Sequence, residues 1–372
     1  VTQHGSNPLI GAAQLQQAKR ILYMSHLALG DYVYQGVFLQ QLAATYPHLE
    51  IDVWFDDCRE QRKSWHGGRN QILGQWLESE PNISHIYANP DSEQQRQQQI
   101  QDAQQRHYDL VFFIATTRSE RFCHYARLIA GDGCAVGAYA LNAVQRWQHK
   151  EAIAALDASI KVSKSTRFDH ISEFYRHHFH ALVAMDSPAR AFQQLRVPQL
   201  YLDALQNSDE LDNFVFINHL STTEKRDWQL AQVFECIATL HQAQPTLRFV
   251  INATNEQVTQ LQHQVQSNNQ LRDINISTFS AKRHFYELPA MISRARLVIS
   301  VETAIMHLAA ALNVPALALI RAKAHQWRPL GPGEILVGGK RVDSISAQTV
   351  ADKALALLAK AQAEPHRPLN YQ

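Results

Sequence analysis

The chain has 372 residues, 45% hydrophobic and 19% charged, with 35 Lys and Arg against 34 Asp and Glu. That balance excludes a disordered chain and a strongly basic nucleic-acid-coating protein, and at roughly 100–200 residues per domain the length predicts two domains. Four cysteines, Cys58, Cys123, Cys134 and Cys236, stand far apart without a Cys-x-x-Cys pair, which fits neither a disulfide scaffold nor a zinc ribbon and points to a reducing compartment. No run approaches the roughly 18 apolar residues of a membrane span, and the start of the chain lacks a charged segment followed by an apolar one, so a cytoplasmic protein is expected.

Residues 1–20 are read as an N-terminal extension whose polar lead, Val1 to Gln17, has no role in the fold. From Ile21 onward, short apolar runs alternate with helical patterns, the signature of parallel sheets covered by helices. Strands are predicted at Ile21–Met24, Ile51–Phe55, Ile83–Tyr87, Leu110–Ile114 and Ala135–Ala138, with a helix over Asp31–Tyr46 closed by Pro47. They form a first doubly wound domain, 21–196. A polar stretch within 197–213 reads as a linker, and a second such domain, 214–346, carries strands at Phe214–Ile217, Leu247–Ile251, Ile274–Ser277, Leu297–Ser300 and Ala316–Ile320. A last helix and tail, 347–372, is compatible with packing on either domain. Two Rossmann-like α/β domains facing across a cleft would bind a ligand at the carboxyl ends of their strands.

Four motifs fall at those ends. Leu29-Gly30-Asp31 opens a helix directly after the first strand, so Asp31 serves either as a general base at the cleft rim or as a helix cap. Gly30 lacks the Gly-x-Gly-x-x-Gly setting of a dinucleotide site. Ser300 to His307 joins a strand to a helix starting near Thr303; its free N–H groups suit a phosphate, or it is an ordinary strand-to-helix turn capped by Thr303. The polar loop after Ile217 offers Ser221, Thr222 and Lys225 to clamp a diphosphate, and is otherwise a solvated basic loop.

The fourth motif, Arg59, Arg62, Lys63 and Arg69, is a local basic patch in a near-neutral chain, suited to an anionic acceptor or equally to a solvated helix face. His177-His178-His180 lies on an amphipathic helix without a nearby Cys or carboxylate set, and no metal site is expected. The Gln-rich run Glu93 to Gln105 reads as a solvated helix face.

In order along the chain, Ile21 to Asp31 with Pro47 to Asp52, Ala126 to Tyr139, Phe168 to Leu182, Phe214 to Trp228 and Ser300 to Pro315 resemble glycosyltransferase family 9, the heptosyltransferase family. The likeness spans roughly residues 21 to 360, and its last motif is the most specific. Glu302 stands where the family has Asp, Ala304 where it has Gly, and Ser25 where it has a basic residue.

The resemblance implies the two-domain GT-B fold and inverting transfer of a sugar from a nucleotide-diphosphate donor, ADP-heptose favoured, to a lipopolysaccharide core or a related anionic glycolipid or glycan. Asp31 would be the general base. Ser221, Thr222 and Lys225, with Glu302, the N–H groups around Thr303 and Ala304, and His307, would hold the donor. Lys225 would also offset charge on the leaving diphosphate, and Glu256 is a candidate for the nucleoside or an ordinary helix-start residue. Arg59, Arg62, Lys63 and Arg69 would meet the acceptor, with peripheral contact at the inner membrane. No cofactor, metal or nucleic acid is implied. Transfer of another sugar to a capsule or protein, and a catalytically silent nucleotide-sugar-binding scaffold, remain the alternatives.

Overall fold

The most apolar stretches of the sequence form the strands. In a computed structural model, which describes residues 7–60, 66–185, 192–206 and 213–363, contacts divide the chain into two units, Val1–Gln193 and Gln194–Gln372. Unit 1 holds β1 (Arg20–Ser25), β2 (Glu50–Trp54), β3 (His85–Tyr87), β4 (Leu110–Ala115), β5 (Cys134–Tyr139) and β6 (Ala158–Lys161). They form one sheet in the order β3-β2-β1-β4-β5-β6, and every pairing is parallel. In β4 all six residues are buried, as expected where helices cover both faces of a parallel sheet.

Unit 2 repeats the plan with β7 (Phe214–Asn218), β8 (Arg248–Asn252), β9 (Ile276–Phe279), β10 (Leu297–Val301), β11 (Ala316–Arg321) and β12 (Gly333–Gly338). Their order is β12-β11-β10-β7-β8-β9, again parallel throughout. In both sheets the order in which strands are added reverses beside the first strand, between β1 and β4 and between β7 and β10. Crevices of doubly wound folds open at such points.

β6 and β12 were not expected. Both are edge strands and half-exposed; β6 has little apolar text, and the short run Ile335–Val337 of β12 is bounded by Glu334 and glycines. β3 is shorter than predicted, His85–Tyr87 rather than from Ile83. Within the expected linker a helix, Gln199–Gln206, belongs to unit 2, where Tyr201 stacks on His284 and Tyr286. The last helix, Ala347–Ala363, also packs in unit 2, burying Val350, Ala351, Ala354 and Leu358 in its core.

The polar lead does have a fold role, contrary to expectation. Ile10 and Leu15 are buried, and Ile10 exchanges backbone hydrogen bonds with Leu182 and Ala184 past the end of the helix Ile171–Leu182. The few apolar side chains of the lead, Leu9, Ile10 and Leu15 among them, are too sparse to show a periodicity.

Gly333 starts β12 at φ 129°, and a Cβ there would stand 1.9 Å from the Ala316 carbonyl oxygen. Gly333→Ala combines a left-handed backbone with that clash. It is expected to cost about 2 kcal/mol or more and to lower Tm by several °C in a thermal melt.

Candidate active site

In unit 1 the chain leaves β1 at Ser25 and enters the helix Leu29–Thr45. Ala28 holds the cap position and Asp31 the third position of the first turn. Oδ2 of Asp31 accepts the Ala28 N–H at 3.0 Å and Oδ1 accepts the Tyr175 hydroxyl at 3.0 Å. Asp31 therefore closes the helix start from inside the turn, not from the cap itself, and remains half-buried. Tyr175 is buried on the helix Ile171–Leu182; burial and the neighbouring Asp31 push its phenol far above the ordinary value, keeping it a proton donor.

The loop after β2 contributes two buried carboxylates, Asp56 and Asp57. Asp57 Oδ2 lies 2.7 Å from Arg59 Nε, 3.5 Å from Arg118 Nη2 and 3.6 Å from His26 Nε2. Burial opposes ionisation of Asp57, but Arg59, Arg118 and His26 together bring it below the usual carboxylate range. At Asp56 burial prevails and raises the carboxyl, despite Arg96 Nε at 2.6 Å. His26, Asp57 and Arg118 follow β1, β2 and β4, so the cluster sits at the same carboxyl edge as Asp31. Asp56, Asp57, Arg59, Asn89 and Arg96 line a shallow recess there, with room for about one water molecule.

Of the predicted basic patch, Arg59 is thus half-buried against Asp57 rather than on a solvated face. Arg62 and Lys63 lie outside the described residues. Arg69 falls in the helix His66–Glu78, with its side chain outside the description. His26, Asp56, Asp57 and Arg118 were not singled out from the sequence, although an Asp-Asp pair directly after a strand was a usable signal.

In unit 2 the centre of the carboxyl edge is Asn218, the last residue of β7 and 4% exposed. Its amide donates to Thr303 Oγ1 at 3.1 Å and to Ser300 Oγ at 3.4 Å, while its Oδ1 accepts from Asn252 Nδ2 at 2.9 Å. One side chain therefore ties together the ends of β7, β8 and β10. Thr303 caps the helix Ala304–Ala311, its Oγ1 accepting the Ile305 N–H; the capping role is real, and the free N–H groups of that first turn open at the same edge. His307 is buried, its ring 6.4 Å from that of Trp327.

The loop after β7 folds on itself. Ser221 Oγ donates to Asp227 Oδ1 at 2.8 Å and accepts the Thr223 N–H at 3.1 Å. Thr222 and Lys225 are exposed, and their side chains make no hydrogen bond or ion pair among the described residues. His219 is buried; its Nδ1 donates to the Trp228 carbonyl at 3.0 Å, and burial holds the ring below its ordinary value, hence neutral. Glu256 is exposed in the turn before the helix Val258–Ser267, which begins two residues after it, so it does not start that helix.

Glu302 is held by Arg321. Oε1 accepts the Arg321 backbone N–H at 2.6 Å and Nε at 2.8 Å, and Oε2 accepts Nη2 at 2.8 Å. Arg226 Nε stands 3.8 Å away, buried and without a hydrogen bond. Burial opposes its charge, but Arg321 brings Glu302 below the ordinary carboxylate value.

Among the described residues no three His, Cys, Asp or Glu side chains are grouped to hold a metal ion. His178 is buried as a brace, donating from Nδ1 to the Phe174 carbonyl at 2.7 Å and accepting the Ser163 N–H at 3.0 Å. Burial lowers it to about 4.

The Glu302–Arg321 pair gives a pH signature. Because the folded pKa lies below the unfolded 4.5, its contribution is full above about pH 4.5 and is lost as pH falls through the lower folded value. Melts between about pH 6 and pH 3 should show a steeper loss of Tm for wild type than for Glu302→Gln. Glu302→Ala, which strands a buried guanidinium, is expected to cost roughly 3 kcal/mol at neutral pH.

A family profile described as glycosyltransferase family 9 (heptosyltransferase) matches residues 138–353. No curated protein sequence matches the chain. Among solved structures, a family 9 glycosyl transferase from Veillonella parvula is similar with a TM-score of 0.71 at 16% identity, covering 92% of this chain and 98% of that one. E. coli ADP-heptose lps heptosyltransferase II matches with a TM-score of 0.67 at 16% identity over 92% and 99% of the two chains. E. coli heptosyltransferase WaaC with ADP gives 0.65 at 14% identity over 91% and 99%. At these identities the structures show a shared GT-B fold.

Proposed function

The chain belongs to glycosyltransferase family 9, the heptosyltransferase family, and from that premise we propose that it moves a heptose from an ADP-linked donor to an anionic glycolipid acceptor of the lipopolysaccharide-core class. The observation that carries the mechanism is Asp31. It stands at the carboxyl edge of β1, half-buried, its two oxygens oriented by the Ala28 N–H and the Tyr175 hydroxyl. Each oxygen keeps acceptor capacity for an incoming hydroxyl.

In the proposed reaction the acceptor oxygen attacks the anomeric carbon from the face opposite the nucleotide. The new carbon–oxygen bond forms as the bond to the diphosphate breaks, and the hydroxyl proton passes to Asp31. Unit 1 supplies this base and, with Arg59 and its neighbours on Asp57, a cationic rim for the acceptor. Unit 2 supplies the donor site. Lys225 and Thr222, exposed and without a side-chain partner among the described residues, are available to the diphosphate, with the N–H groups of Thr303 and Ala304 at the helix start. Lys225 offsets the charge that grows on the leaving group.

Three residues take supporting roles. Ser221 shapes the loop through Asp227 and offers its remaining lone pair. Glu302, occupied by Arg321, fixes the turn between β10 and the helix rather than meeting the sugar. His307 braces that helix against Trp327. Glu256 is left as a candidate for the nucleoside, exposed beside β8. The donor is an ADP-heptose in this reading because the family is described as heptosyltransferases, one E. coli structure is named an ADP-heptose lps heptosyltransferase and the other is named as holding ADP.

Asp31→Asn is expected to retain nucleotide binding and to lower kcat by about 10²- to 10⁴-fold, read by sugar transfer at saturating donor. Lys225→Ala should weaken nucleotide diphosphate binding about tenfold, the value of one charge-assisted contact. Calorimetric titration with ADP, UDP, GDP and CMP, with and without magnesium, tests the donor. Selective binding of ADP supports the assignment, whereas selectivity for UDP or GDP replaces the sugar while leaving Asp31 as base.

A further inference from the structure

One cation of unit 2 stands beside a carboxylate that is already taken. Arg226 ends the short turn Glu224–Arg226 in the loop after β7. Its Nε lies 3.8 Å from Glu302 Oε2, too far for a hydrogen bond, and is buried without an acceptor. The side chain as a whole is 39% exposed, so water reaches other parts of it. Glu302 cannot supply the missing acceptor. Its Oε1 accepts the Arg321 backbone N–H at 2.6 Å and Nε at 2.8 Å, and its Oε2 accepts Nη2 at 2.8 Å. Two guanidiniums thus share one carboxylate, and the cluster carries one positive charge in excess. A buried donor left unsatisfied costs about 1–3 kcal/mol, and such groups in folded proteins call for an explanation.

The turn that carries Arg226 is held from three sides. The Arg226 N–H donates to the Thr223 carbonyl at 2.8 Å. Next to it, Asp227 Oδ1 accepts the Ser221 N–H at 2.7 Å. From the segment after β12, Arg341 Nη2 donates to the Glu224 carbonyl at 3.2 Å. The cation is therefore placed by the fold. At the other end of the contact, Glu302 is followed directly by Thr303, the cap of the helix Ala304–Ala311. The excess charge accordingly stands beside the turn whose first N–H groups are free. Of the two cations in the loop, Lys225 and Arg226, it is Arg226 that an ion-pair contact ties to that turn.

We propose that Arg226 is a diphosphate-binding residue of the donor site, its guanidinium meeting phosphate oxygens beside the Thr303 turn while Glu302 sets the direction of the side chain. A guanidinium offers N–H donors in a planar fork that matches phosphate oxygens, whereas an ammonium acts as a point charge. Because Arg321 occupies Glu302, Arg226 is steered by charge without being captured by a hydrogen bond. It can turn its donors to an incoming anion and break no bond in doing so. Lys225 then adds a second cation from the neighbouring position. This deepens the proposed function and rests on its nucleotide-diphosphate donor.

The test is calorimetric titration of the full chain with ADP, UDP, GDP and inorganic pyrophosphate, the last carrying neither base nor sugar. Arg226→Gln is expected to lower affinity about tenfold or more, both for the nucleotide that the wild type binds best and for pyrophosphate. Arg226→Lys, which keeps the charge and loses the fork, should recover only part of that loss. Binding by the wild type should also weaken with salt more steeply than binding by Arg226→Gln. Circular dichroism should be unchanged, since Glu302 keeps Arg321. An Arg226 that served Glu302 alone would lower Tm on removal and leave every one of these affinities in place. Wild-type affinity for diphosphates in Arg226→Gln therefore overturns the inference, while the donor assignment stands. Selectivity of the wild type for UDP or GDP does the reverse: the ADP assignment falls, and a loss in Arg226→Gln measured on that nucleotide upholds the inference.

Discussion

A parallel ladder delivers every strand's carboxyl end to the same edge of its sheet, and this constraint underlies the placement of the candidate site residues. In unit 1 it gathers His26, Asp31, Asp57 and Arg118 from the ends of β1, β2 and β4, which are spread over nearly a hundred residues of sequence. In unit 2 it gathers Asn218, Asn252, Thr303 and Arg321 from β7, β8, β10 and β11. The switch in strand order beside β1 and β7 sends neighbouring helices to opposite faces and leaves room at that edge for polar groups.

Those polar groups are costly to bury, and the structure meets the cost by pairing them. Asn218 satisfies its amide with Thr303, Ser300 and Asn252. Glu302 satisfies both oxygens with one guanidinium. Asp57 is ringed by the Arg59 and Arg118 guanidiniums and the His26 imidazole, and Asp52 on β2 accepts from Arg106 Nε at 2.6 Å. Pairs of this kind contribute modestly to net stability, but losing one partner leaves a charge stranded. They fix the turns from which the exposed groups, Lys225 and Thr222, project.

The result is a division of labour between held and free side chains. Ser221, Glu302 and His307 carry the family-like motif, yet the structure spends them on the loop, the turn and the helix. Asp31 is intermediate, oriented by Ala28 and Tyr175 while still half-buried. Tyr175 comes from a helix nearly 150 residues later, so the orientation of the base depends on the packing of the helix Ile171–Leu182 against the helix Leu29–Thr45.

The sequence by itself determined the doubly wound character of both units, because fully buried parallel strands must be written as continuous apolar runs, as in Leu110–Ile114 and Leu297–Ser300. It also determined that Asp31, Thr303 and the loop bearing Lys225 follow strands, since a strand-to-helix transition is a local pattern. It did not determine the edge strands β6 and β12, whose half-exposed residues carry little periodicity, nor the anchoring of Ile10 and Leu15. Only the tertiary structure decided that Arg59 belongs to Asp57, Glu302 to Arg321 and Asp31 to Tyr175. Such pairings join residues from different strands and helices, and no spacing along the chain encodes a partner that folding alone brings within hydrogen-bond distance.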